Sequence, residues 1–167
     1  MNEFNKMDNY WMLLALKEAE KAMEFGEIPV ATILVAGDKE ISRSQTMVKR
    51  KESITAHGEL IALMQAKNTI WSVSRPLTIY TTLEPCLMCL GACIQTGVDK
   101  IIFGMKAAPD GSARYVSDIA NGGQTPPQVV GGLLEDESVE LMKKFIELLP
   151  NSPSVPYVKS MLEQYMK

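Results

Sequence analysis

The chain has 167 residues, 46% hydrophobic and 22% charged, a balance that excludes a disordered protein and fits one globular domain over residues 1–167. Its net charge of −3 is the wrong sign for a surface that grips nucleic acid everywhere, although a local basic patch stays open. Three cysteines are an odd number and too few for a disulfide framework, which points to a reducing, cytoplasmic setting.

In chain order, Asp8 or Asn9 is placed to cap a first helix running to Phe25, with Trp11, Leu14, Ala15, Ala19 and Ala22 on one stripe. Lys17 and Glu18 cut its apolar run, and no segment reaches the ~18 apolar residues of a membrane helix. The start, Met1 to Lys6, lacks the basic region of a secretory leader. Residues 28–36 are β-branched and apolar, the pattern of a strand covered on both faces, and Gly37-Asp38 turns into a second strand at 40–45. Residues 47–54 read as a loop carrying Lys49-Arg50-Lys51, either a solvated run or a phosphate contact.

Thr55 is placed to cap a second helix over 56–67, with Leu60, Ile61, Leu63 and Met64 as its apolar face. A third strand follows at 77–82. Pro85 suits the first turn of a third helix that ends by Gly97. A fourth strand is expected at 100–104, then an irregular segment at 105–127 of the kind that often forms a binding loop or lid. A short strand at 128–130, a helix at 135–149, the turn at 150–153 and a last helix to Tyr165 complete the chain. Helix, hairpin, then alternating helix and strand give an α/β class, a three-layer sandwich with an antiparallel first pair and parallel later strands.

The chemistry concentrates in two short motifs. The single histidine, His57, lies in Thr55-Ala56-His57-Gly58-Glu59, and further on comes Pro85-Cys86-Leu87-Met88-Cys89. Two cysteines three apart at a helix start direct their sulfurs to one point, and an imidazole makes three zinc ligands with a fourth position free for water. Bound water then falls in pKa from 15.7 towards about 7. Glu59, two residues from His57, is placed to accept the water proton. This H-x-E…P-C-x-x-C order is the signature of zinc deaminases, in which the Glu shuttles protons and is not a ligand. A C-x-x-C alone is also compatible with a redox pair. Cys93, four residues beyond Cys89, is either a fourth ligand of a structural zinc or a packing residue.

On these motifs the sequence resembles the cytidine deaminase superfamily, in the branch of tRNA adenosine deaminases and cytosine and guanine deaminase-like nucleoside deaminases. The resemblance runs over Glu27-Ile28-Pro29-Val30, both motifs, Leu90-Gly91-Ala92 and Ile102-Phe103-Gly104, within residues 8–149. It implies a five-stranded mixed sheet with helices on both faces, one Zn2+ per chain and a homodimer. Where family members carry Asn before the His, this chain has Thr46 beside Gln45. Where the tRNA enzymes carry Asp after the Phe-Gly pair, it has Ala107. From residue 135 onward six acids face four bases, which opposes RNA binding. Gln45, Thr46 and Phe103 are the candidate substrate contacts, while Met64, Met88 and Phe145 suit either a base pocket or the core. The expected activity is zinc-dependent hydrolytic deamination of a nucleobase, nucleoside or related amino-heterocycle. The alternatives are tRNA adenosine-to-inosine editing and a silent zinc-binding protein.

Overall fold

Asn5, and not Asp8, starts the first helix. In the computed structural model, which describes residues 4–165, its Oδ1 accepts from the backbone N–H groups of Met7 and Asp8 at 2.7 and 2.9 Å. Asp8 returns the contact by accepting from the Asn5 N–H at 2.9 Å, a reciprocal cap for α1 (Lys6–Ala22). The other Asp8 oxygen accepts from the buried Tyr80 hydroxyl at 2.8 Å, so one carboxylate caps the helix and ties it to the sheet. Lys167, one of the four bases from residue 135 onward, lies outside the described residues.

Beyond a 3-10 turn over Met23–Phe25, Gly26 adopts φ 71°, where a Cβ is disfavoured, and ends the helical run. The fully buried β1 (Ala31–Ala36) then forms a hairpin with β2 (Lys39–Gln45). The helix α2 (Gly58–Ala66) starts two residues later than the sequence indicates. His57 is its N-cap residue in extended conformation, and the Thr55 hydroxyl lies 3.0 Å from that of Ser53 instead of capping the helix. β3 (Leu77–Leu83), α3 (Leu87–Thr96) and β4 (Lys100–Met105) follow, with Cys86 at the N-cap of α3 and Gly97 closing it at φ 73°. The segment 105–127 is not wholly irregular, since Val116 and Ile119 pack on the core and hold a short helix, α4 (Val116–Asn121). β5 (Gln128–Gly131), α5 (Glu135–Leu148) and α6 (Val155–Tyr165) complete the described elements.

The five strands form one mixed sheet in the order β2-β1-β3-β4-β5. β1 is antiparallel to both β2 and β3, whereas β3, β4 and β5 run parallel. Alternating side chains divide the sheet between two cores. Ile33, Val35, Tyr80 and Ile102 pack with Trp11, Met12, Ala15 and Leu16 of α1. Leu34, Ile79 and Ile101 pack with Leu63 of α2 and with Leu90 and Cys93 of α3. A third cluster joins α5 and α6 through Met142, Phe145, Val158 and Met161. Among the described residues, no helix is long and apolar enough to cross a membrane.

Gly104 sets how closely α5 approaches the sheet. A Cβ there would lie 2.2 Å from Ser138 Oγ and 2.8 Å from the carbonyl oxygen of Thr82. Because one of these neighbours is strand backbone, Gly104→Ala is expected to cost about 2–3 kcal/mol by overpacking. In a thermal melt the midpoint should fall by roughly 5–10 °C. An unchanged midpoint would show that the β4–α5 seam yields freely.

Candidate active site

The site lies beyond the carboxyl ends of β3 and β4, where open α/β sheets place their ligand crevices. β3 runs through Glu84 and Pro85 into Cys86, and the N-termini of α2 and α3 bring His57 and Cys86 together. Gly58 permits this approach, because a Cβ there would meet Thr32 Oγ1 at 3.2 Å and the Gln45 backbone at 3.5 Å.

His57, Cys86 and Cys89 offer ligand atoms that all lie within 4.8 Å of one another, the one such His/Cys/Asp/Glu group found among the described residues. His57 Nδ1 is 3.7 Å from Cys86 Sγ and 3.6 Å from Cys89 Sγ, and the sulfurs are 3.7 Å apart. A tetrahedral ion with Zn–S of about 2.3 Å and Zn–N of about 2.0 Å requires edges of roughly 3.8 Å for S···S and 3.5 Å for S···N. The donor triangle therefore has the dimensions and chemistry of a three-ligand zinc site. Cys93 stands apart from it, fully buried in the core beneath α3 with Leu90 and Ile101.

Glu59 is buried, and its Oε2 accepts a long contact from the Cys89 thiol at 3.5 Å. Burial pushes its carboxyl up from the usual range. The Cys86 thiol is lowered to about 4, chiefly by its contact with Cys89 and then by His57. Cys89 is pushed up by the same pairing and by burial. The Cys86 sulfur raises His57, against the opposing effect of burial.

Of these groups His57, Glu59 and Cys86 open into a cavity of about 290 Å³ whose walls include Ile28, Val30, Thr46 and Leu83. A larger groove of about 770 Å³ between α1 and α5 contains none of the three ligands. Of the candidate substrate contacts, Thr46 lines the smaller cavity. Gln45 and Phe103 do not. Gln45 is buried with its Oε1 unpaired, and Phe103 packs its ring against Gly131 on the far side of the loop after β4. Phe145 is core, whereas Met64 and Met88 are exposed on the outer faces of α2 and α3 and line neither core nor cavity.

Three residues that sequence reasoning missed shape this cavity. Glu84 accepts from the N–H groups of Ala107 and Ala113 at 3.1 and 2.9 Å, which folds the loop after β4 inward. That loop contributes Asp110, and α6 contributes Tyr157. Across the chain, Glu27 fixes the opposite loop by accepting from the Lys49 and Arg50 N–H groups at 3.2 and 2.9 Å. Arg50 also donates to the Thr46 carbonyl at 3.0 Å and stacks on Phe25 at 4.2 Å, so the central base of Lys49-Arg50-Lys51 is engaged within the fold.

Comparison with known proteins agrees with this geometry. Residues 6–135 match a family model described as MafB19-like deaminase. The tRNA-specific adenosine deaminase of Bacillus subtilis (strain 168) is 32% identical over 146 residues, covering 85% of this chain and 90% of that protein. That of Buchnera aphidicola subsp. Schizaphis graminum is 42% identical over 98 residues, 58% of this chain and 65% of its own length. A solved structure from work on A-to-I editing by tRNA:A34 deaminases at the wobble position of transfer RNA is similar, with a TM-score of 0.70 and 30% identity. It covers 79% of this chain and 98% of its own. With a matched family model over most of its length and a relative 32% identical over most of both chains, the chain belongs to the MafB19-like deaminases of the cytidine deaminase superfamily and is a hydrolytic deaminase.

Proposed function

We propose that this deaminase is zinc-dependent and replaces the exocyclic amine of a nucleobase, nucleoside or related amino-heterocycle by a carbonyl, with release of ammonia. The observation that carries the reading is the donor triangle of His57, Cys86 and Cys89 beside a buried Glu59, with His57, Glu59 and Cys86 lining one small cavity. His57 Nδ1 and the two cysteine sulfurs would hold the ion. Zinc bound there would supply a Lewis acid that makes water reactive near neutral pH. Glu59 takes one proton from the attacking water and delivers it to the ring nitrogen. It then moves the second proton to the amine, so that the C–N bond breaks, ammonia leaves and the water oxygen stays on the ring as the carbonyl. Thr46 lines the wall against which the ring rests.

A second reading keeps this chemistry and changes the substrate to a wobble adenosine of tRNA, flipped out of its loop. The relatives named as tRNA-specific adenosine deaminases favour it. Both readings are tested by incubating the zinc-loaded chain with amino-purines, amino-pyrimidines, their nucleosides and tRNA, and measuring ammonia and inosine. At least one substrate should release ammonia with multiple turnovers. One zinc per chain with no ammonia from any of them would mark a silent zinc-binding protein.

A further inference from the structure

At the exposed edge of the cavity a hydrogen bond joins two distant parts of the chain. The Tyr157 hydroxyl, on α6, donates to Asp110 Oδ2, on the loop after β4, at 3.0 Å, and both side chains line the cavity that reaches Glu59. Both ends are anchored. Val155, Val158, Met161 and Leu162 bury α6 beside Met142 and Phe145 of α5, so Tyr157 hangs from a packed helix. Glu84 holds the Asp110 loop at Ala107 and Ala113, Gly111 bridges to Cys86, and the Ser112 hydroxyl donates to the Pro85 carbonyl at 2.6 Å. Gly111 leaves no room for change, since a Cβ would sit 2.2 Å from the Glu84 carboxylate.

Charge points the same way. The ionisable groups lining this cavity besides the metal-type ligands and Tyr157 are Glu59, Glu84 and Asp110, with no lysine or arginine. A flipped nucleotide enters with its sugar-phosphate strand continuing on both sides, and that strand binds by neutralisation of its phosphates. Here it would meet carboxylates and the bonded Tyr157–Asp110 pair at the cavity edge. The nearest basic run has its central guanidinium engaged by Glu27, Thr46 and Phe25. The cavity of about 290 Å³ lies at the small end of ligand pockets, which span roughly 300–1,000 Å³. The family match ends at residue 135, so α6 and Tyr157 lie outside it.

We infer that the Tyr157–Asp110 bar is the specificity-determining element of this deaminase, retaining a free, phosphate-less amino-heterocycle over Glu59 and shutting out a polynucleotide. This rests on the metal-dependent deaminase reading above. Tyr157 and Asp110 act on entry and retention, and the proton chemistry stays with Glu59.

The test uses the full zinc-loaded chain, the Tyr157→Phe and Asp110→Asn variants, and the double variant. The probes are adenine, guanine, cytosine, their ribonucleosides, and an anticodon stem-loop RNA with adenosine at the wobble position. The unaltered chain should turn over at least one free base or nucleoside with kcat/KM at least 100-fold above that for the RNA. Each single variant should raise KM for that probe about tenfold with kcat changed less than threefold. The double variant should add little further, because both substitutions break the same bond. Turnover of the RNA at or above the best small probe would overturn the inference and leave the zinc deaminase reading standing. Unchanged KM in both single variants would overturn the role of the bar. Silence of the zinc-loaded chain on every probe would overturn both.

Discussion

Glu59→Ala should lower kcat at least about 10³-fold, within the range that positioned acid–base groups contribute, while the protein still carries one zinc per chain. The two halves of this result separate a proton shuttle from a ligand. Glu59 lies 3.5 Å from Cys89 Sγ and outside the donor triangle, so its removal leaves all three ligand atoms in place. The carboxyl is also buried at an energetic cost, which its raised pKa reflects, so its loss is not expected to unfold the chain. Metal analysis and a thermal melt, run beside the ammonia assay, check each part. Retention of more than a tenth of the activity would remove Glu59 from the proton path.

Cys89→Ala should abolish stoichiometric zinc and lower activity by roughly 10³- to 10⁵-fold, because Lewis-acid stabilisation is worth several kcal/mol. The informative control is Cys93→Ala. Its sulfur is as buried as that of Cys89, but it packs among Leu90, Val98 and Ile101 and belongs to no donor group. That variant should keep zinc and turnover and lose only about 1 kcal/mol of stability by removal of one buried atom. Loss of zinc from Cys93→Ala would convert the site into a four-ligand structural one and end the catalytic assignment.

Where the sequence was informative, the information was local. The β-branched run at β1, the glycine after α3 and the spacing of Cys86 and Cys89 each report on a few neighbouring residues, and the structure places them accordingly. Helix starts were less legible because capping is a competition between nearby polar side chains. Asn5 wins over Asp8 because it lets Asp8 serve both the cap and Tyr80, a partner 72 positions away. Thr55 loses because His57 must stay extended to face the cysteines. The cavity walls were least legible. Asp110 and Tyr157 meet across 47 positions, and neither sits in a spacing that marks it as functional. Phe103 and Gln45 drew attention through their motif neighbours, but strand alternation and the turn after β2 carry them away from the cavity that Thr46 lines.

The antiparallel pairing of β1 with β3 has a consequence for how the donor triangle is assembled. Cys86 and Cys89 come together as soon as α3 forms, because they are one helical turn apart. His57 joins them only when Thr32 has found Thr81 and the centre of the sheet has closed over α2. Local contacts form faster than such distant ones. A chain whose sheet has yet to close would present only the pair of sulfurs, a softer donor set than the nitrogen and two sulfurs that the finished fold brings together at tetrahedral spacing. The metal preference of the donor set thus depends on the long-range pairing of β1 with β3 as well as on the local spacing of Cys86 and Cys89.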